Sequence, residues 1–191
     1  LGDAIYLANI QPGFDTISFN VPKTDPGFDA GTGVWTISPT SNLQALTEGG
    51  ILIDGFSQRE FTGEDNNPNG PEIQLTGINA GAYTDGLFIT ADHAEVLGLT
   101  INNLRIGIYM IGVKSGRIAG CYIGTNYAAT ASEGNAYGIT LYDSTQNVII
   151  SQYDTCRNVI SGNTNRGIGV TDTCFTNTII NNIIGIDRTE S

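Results

Sequence analysis

Cations are scarce in this chain: 8 Lys and Arg stand against 19 Asp and Glu over 191 residues, a formal net charge of -11. Binding a phosphate backbone requires clustered Lys and Arg, so nucleic acid is not an expected partner. Long apolar runs are also missing. Stretches such as Val148–Ile150 and Ile179–Ile180 fall far short of the roughly 20 residues that span a bilayer, and no membrane insertion is expected. Histidine occurs once, and the three cysteines, Cys121, Cys156 and Cys174, form no C-x-x-C pair. Neither a zinc-ligand pattern nor a dense disulfide framework follows; a single disulfide, Cys156–Cys174, is the pairing left open. Charged residues make up 14% of the chain, too few for long solvated helix faces. No signal-peptide pattern is visible.

Glycine is what the chain has in quantity, 25 residues in all, and its placement is periodic. Gly86-Leu-Phe-Ile-Thr, Gly107-Ile-Tyr-Met-Ile, Gly138-Ile-Thr-Leu-Tyr and Gly167-Ile-Gly-Val-Thr follow one another at spacings of 21, 31 and 29 residues. A second apolar stretch follows each: Val96–Ile101, Arg117–Ile123, Asn147–Ile150 and Thr178–Ile184. A period of this size marks a repeat architecture, here coils of at least two strands. Polar inserts, Thr125–Ala136 and Gln152–Arg157, lengthen two coils. Leu87 and Ile89, Ile108 and Met110, Ile139 and Leu141, and Ile168 and Val170 sit two apart, which places each pair on one strand face and assigns them to the core. Asn102-Asn103, Asn163 to Asn165 and Asn181-Asn182 suit corners, because Asn tolerates left-handed backbone angles, and in register they would stack as amide ladders. Asp3–Asn9 reads as a short helix with Ala4, Ile5 and Ala8 on one face, a cap for the first coil. The expected architecture is all-β: one domain, a right-handed parallel β-helix over residues 1–191 with a short N-terminal capping helix.

Leu1-x-x-Ala4-Ile5-x-x-Ala8-Asn9-x-x-Pro12-Gly13-x-Asp15-Thr16-Ile17-x-Phe19, Leu52-Ile53-Asp54-Gly55-Phe56-x-Gln58 and Arg157-Asn-Val-Ile-Ser-Gly-Asn resemble segments of the right-handed parallel β-helix repeat proteins of bacterial secreted and cell-surface type, within the pectate-lyase-like superfamily. The resemblance covers nearly the whole chain. It departs at Gly2-Asp3, where an Arg-Glu pair is usual, and at Cys156, where a small Ala is usual. It implies an extracellular or cell-surface location. Cys121-Tyr-Ile-Gly-Thr recurs as Asn182-Ile-Ile-Gly-Ile, and Ser191 falls inside a repeat, so the chain reads as an ordered portion of a longer repeat protein.

That superfamily hosts both enzymes and structural stalks, and fold alone does not choose between them. Asp143 and Asp172 each lie five residues after their coil's glycine, so stacking brings two carboxylates together. They are the candidates for a cation site, with calcium the fitting ion, and for weak catalytic groups. Tyr109, Tyr122, Tyr127, Tyr137 and Tyr142 fall in consecutive coils; Tyr109, Tyr122, Tyr137 and Tyr142 are the candidates for a carbohydrate-facing stripe. His93 follows Asp92 in a turn, and Glu60–Asn69 reads as a lateral loop carrying Glu60, Glu64 and Asp65. The glycosidase elements of the superfamily, Asn-Thr-Asp, paired Asp, Gly-His-Gly and Arg-x-Lys, are not found. The leading expectation is an extracellular structural or adhesive solenoid that associates end to end with itself or with other surface proteins. The alternative is a polysaccharide-binding or polysaccharide-degrading protein, a lyase or a hydrolase.

Overall fold

A computed structural model of the chain describes residues 1–143, 145–146, 148–151, 156–186 and 188. Helix α1 (Gly2–Ile10) precedes β1 (Asp15–Ser18), β2 (Phe28–Asp29), β3 (Val34–Ile37) and β4 (Ile51–Asp54). A six-residue helix, α2 (Ser57–Thr62), leads to β5 (Ile73–Thr76), β6 (Leu87–Ile89), β7 (Glu95–Leu97), β8 (Leu99–Asn102) and β9 (Ile106–Ile111). Then come β10 (Arg117–Ala119), β11 (Tyr122–Ile123), β12 (Tyr137–Tyr142), β13 (Ile149–Ile150), β14 (Val159–Ile160), β15 (Arg166–Val170), β16 (Thr178–Ile179) and β17 (Ile183–Ile184). These form three sheets, ordered β1-β4-β7-β10-β13-β16, β2-β3-β5-β8-β11-β14-β17 and β6-β9-β12-β15. All strand pairings are parallel except β2 with β3. From β4 onward the chain visits the three sheets in rotation, so each circuit adds one strand to the edge of each sheet.

Each circuit therefore carries three strands, in line with the expected minimum of two, the third being merged into one apolar run. Val96–Ile101 breaks at Gly98, Arg117–Ile123 at Gly120 and Thr178–Ile184 at Asn181, all with positive φ (61°, 65° and 55°). A left-handed residue turns the chain sharply between strands of two to four residues. Runs that short leave no visible gap in a hydrophobic pattern. Of the insert expected at Gln152–Arg157, residues 152–155 lie outside the described residues, as do Asn147 and the final residues 189–191.

The four spaced glycines fall in one column. Leu87 pairs with Ile108, Ile108 with Ile139 and Ile139 with Ile168, which sets Gly86, Gly107, Gly138 and Gly167 side by side. A Cβ on Gly86 would lie 2.4 Å from the carbonyl oxygen of Gly107, on Gly107 2.7 Å from that of Gly138, and on Gly138 2.4 Å from that of Gly167. Coils about 4.8 Å apart leave no room for a side chain in this column.

Leu87, Ile89, Ile108, Met110, Ile139 and Leu141 are fully buried in one continuous core, as their alternation predicts. Ile168 is half-buried and Val170 is exposed, because β15 ends the third sheet and no strand covers it. Amide pairs also form. Asn135 Nδ2 donates to Asn163 Oδ1 at 3.1 Å and Asn158 Nδ2 to Asn182 Oδ1 at 2.9 Å. Each of the four also donates to a backbone carbonyl of the preceding circuit: Ile101, Ile118, Ile123 and Ile150. Buried corner carbonyls are thereby satisfied. At the start of the chain, Ile5 and Ala8 of α1 enter the same core.

Candidate functional site

Two of the four candidate tyrosines come together on the outer surface of the third sheet. Phe88 pairs in register with Tyr109, and their rings stack with centroids 5.4 Å apart at 28°. Tyr109 meets Tyr142 edge-on at 6.4 Å and 62°. The inward neighbours Leu87, Ile89, Ile108 and Met110 are buried, so alternation turns Phe88 and Tyr109 outward. Phe88 was not singled out by the sequence pattern; it sits between two core residues, and only the register shows that it continues the tyrosine row.

Asp143 and Asp172 follow β12 and β15 two positions beyond the Leu141–Val170 pair, so they occupy equivalent turn positions next to that row. The Asp172 carboxylate acts on the Tyr142 hydroxyl as a hydrogen-bonding partner. That bond, and next the Asp172 charge, raise the Tyr142 pKa above its ordinary value, with lesser contributions from burial, Tyr109 and Asp143. Both acids have left-handed backbones, φ 43° and 63°, and the equivalent residue one circuit earlier is Gly112, φ 68°. Asp is among the few side chains that tolerate this conformation, which gives both acids a backbone reason to be there. His93 is exposed and also left-handed, φ 56°. Among the described residues no three His, Cys, Asp or Glu side chains gather as a metal-binding group.

Tyr122 and Tyr137 lie elsewhere. Tyr137 opens β12 opposite Ile106 and Arg166. Tyr122, on the second sheet, donates its hydroxyl to the Asn69 carbonyl at 2.9 Å, and burial raises its pKa more than Arg188 lowers it. It lines a cleft of about 230 Å³ with Phe56, Arg59, Asp65, Glu72 and Arg188. The lateral loop expected from Glu60–Asn69 forms one wall, but its first residues belong to α2, and two of its three acids are engaged by cations: Glu64 by Lys23 at 2.7 Å, and Asp65 by Arg59 at 3.1 Å. The Lys23 contact holds the Glu64 carboxyl below its usual value. Phe56, Glu72 and Arg188 had no local signal in the sequence, since they are 16 and 116 residues apart and meet only through the stack.

Cys156 and Cys174 are carried as thiols, and the Cys174 thiol donates to the Thr171 carbonyl at 3.1 Å. Cys121 is fully buried, and desolvation pushes its thiol up to about 12. Among the described residues no helix is long and apolar enough to cross a membrane. Comparison of the chain with protein-family models, curated proteins and solved structures found no match.

Proposed function

We propose that the chain is a right-handed parallel β-helix of the secreted and cell-surface type it resembles, capped by α1, and that it serves outside the cell as a structural or adhesive module assembled coil upon coil. One observation carries this reading. Val170, Ile179 and Ile184 are the register partners of Leu141, Ile150 and Ile160. The latter three are 0% exposed; the former are 45%, 44% and 48% exposed. Side chains that the repeat directs into the core are thus half in water, beside the outer edges of β15, β16 and β17. Among the described residues no strand pairs with these outer edges, and an apolar face next to such edges is a template for a further parallel strand layer. At the opposite end, Tyr6, Leu7 and Ile10 of α1 and the adjacent Phe14 are exposed.

A second copy of the chain supplies a matching layer, and light scattering across a concentration series tests it. The native protein gains mass with concentration, and the triple variant Val170→Lys, Ile179→Lys, Ile184→Lys remains a monomer. A native protein that stays monomeric up to millimolar concentration sinks the reading.

A polysaccharide-binding role is favoured by a different observation, the outward row of Phe88, Tyr109 and Tyr142. Aromatic faces stack on sugar rings, and Asp143 and Asp172 are the acids that would hold calcium beside it. Retention on immobilised glycans that Tyr109→Ala abolishes, with calcium dependence lost in Asp172→Asn, supports that role; no retention of the native protein on any glycan removes it.

A further inference from the structure

The helix that closes the first circuit is apolar on two sides. Ile5 and Ala8 of α1 are buried in the core of its own coil, and Leu1 and Ala4 pack against that core. On the opposite side, Asp3, Tyr6, Leu7 and Ile10 follow the i, i+3, i+4, i+7 spacing of a single helix stripe. Tyr6, Leu7 and Ile10 are 49%, 57% and 58% exposed, and Phe14 just beyond the helix is 64% exposed. Asp3 is the only charged residue in α1. A surface helix ordinarily turns a polar face to water, and a helix that is apolar all round is buried all round. Among the described residues, α1 is covered on one side only.

The last circuit has the complementary need, with Val170, Ile179 and Ile184 directed toward a core that nothing covers. The first circuit does not offer it three matching strand edges. There β3 is covered by antiparallel β2, Leu46 bridges to Ile89 of β6, and α1 lies across the coil. A molecule that meets this end meets a helix face. The charges of the two ends also differ in sign. Residues 1–18 contain Asp3 and Asp15 and no Lys or Arg, while residues 157–186 contain Arg157, Arg166 and Asp172, a net of 2 − 1 = +1. Unlike ends attract, whereas two first circuits set acids against acids and two last circuits set cations against cations.

We propose that the outer face of α1 is the surface that covers the last circuit of a second copy, setting Tyr6, Leu7, Ile10 and Phe14 against Val170, Ile179 and Ile184. This rests on the reading that the last circuit takes a second copy, and it names the surface taken. The helix then serves two coils: Ile5 and Ala8 close its own, and the outer stripe closes the next. Apolar side chains form the centre of such a contact and charges its rim, the arrangement of stable interfaces. Because the two patches differ, the contact is heterologous. Each pair of molecules keeps one free α1 face and one free last circuit, so assembly continues in one direction. A contact between two last circuits would instead be isologous and would close at a dimer.

Sedimentation velocity on two variants and their mixture tests this. The helix variant is Leu7→Lys, Ile10→Lys, and the last-circuit variant is Val170→Lys, Ile179→Lys, Ile184→Lys. Leu7 and Ile10 are exposed, so the helix variant keeps its fold, checked by circular dichroism; should it not, Ile10→Lys alone replaces it. The native protein forms species larger than a dimer as concentration rises. Each variant alone associates at least about tenfold more weakly than the native protein, the order of a charge set into an apolar contact. An equimolar mixture forms a one-to-one dimer and grows no further, since one intact α1 face meets one intact last circuit. A native protein that stops at the dimer, or a helix variant that associates as the native protein does, puts last circuit on last circuit. Either result overturns the assignment to α1 and leaves the last-circuit contact standing. A mixture that stays monomeric while the native protein associates overturns the assignment as well, and a native protein that never associates removes both.

Discussion

Replacing Gly138 by alanine places a methyl carbon 2.4 Å from the Gly167 carbonyl oxygen and 2.9 Å from the Asn163 side-chain nitrogen. A carbon–oxygen contact needs about 3.3 Å or more, so β12 and β15 must separate locally by most of an ångström. Neither neighbour can retreat cheaply, since one is backbone and the other is tied to the Ile123 carbonyl at 3.0 Å. Overpacking of this kind costs about 1–3 kcal/mol, and the backbone contact puts the expected loss near about 3 kcal/mol. At 2–4 °C per kcal/mol for a domain of this size, the melting temperature falls by about 6–12 °C. Gly169→Ala is the control in the paired strand. Its Cβ would find nothing closer than 3.9 Å, so stability stays within about 0.5 kcal/mol or rises slightly as the unfolded chain loses freedom. Gly167→Ala falls between, its nearest contact being an Ile160 methyl at 3.3 Å. Thermal melts by circular dichroism give the order 138, then 167, then 169. Equal melting of Gly138→Ala and Gly169→Ala would refute the stacked glycine column.

Four further outcomes follow from the same packing. Asn158→Ala strands the Cys121 N–H (2.8 Å) and the Ile118 carbonyl (3.0 Å) and should cost about 2–4 kcal/mol in urea unfolding; a loss below about 1 kcal/mol contradicts the ladder. Ile150→Ala should cost about 2–5 kcal/mol and its exposed register partner Ile179→Ala much less, a contrast that disappears if the last circuit is covered in the monomer. Cys121, raised to about 12 from 9.0 by burial, keeps its proton in the fold while the unfolded thiol ionises near 9. Its contribution to stability is therefore full below pH 9 and is lost as pH climbs toward 12, and a thiol reagent at pH 8 should label it only after denaturation. Asp172→Gly preserves the left-handed turn and should leave stability within about 0.5 kcal/mol while lowering the Tyr142 pKa toward its ordinary value, read by ultraviolet titration; Asp172→Val should cost about 1–2 kcal/mol. An unmoved tyrosine titration would disprove the Tyr142–Asp172 contact.

The circuit was legible wherever a chemical requirement repeats at one site. Gly86, Gly107, Gly138 and Gly167 stand out because every coil faces the same steric exclusion, and the alternating Leu, Ile and Met residues because they share one core. The third strand of each circuit stayed hidden because Gly98 and Gly120 bend the chain without interrupting the apolar run. Spacing puts Asp143 and Asp172 at equivalent positions of their coils, but it does not reveal that the turn takes a left-handed residue, which Gly112 supplies in the neighbouring coil. The tyrosines show the opposite weakness. Residue type grouped Tyr122 and Tyr137 with Tyr109 and Tyr142, whereas the register replaces them with Phe88. The cleft joins Phe56 and Glu72 of the β4–β5 connection to Tyr122 of β11 and to Arg188, and no local pattern connects residues so far apart.

Backbone hydrogen exchange of the β15, β16 and β17 amides, followed across a concentration series, tests the stacking account most directly. If the half-buried side of the last circuit takes another coil, these amides gain protection as concentration rises, among them those of Val170, Ile179 and Ile184, and β9 to β11 remain unchanged. Exchange at β15 to β17 that is independent of concentration, in a protein that nevertheless associates, would contradict it and place the contact elsewhere on the molecule.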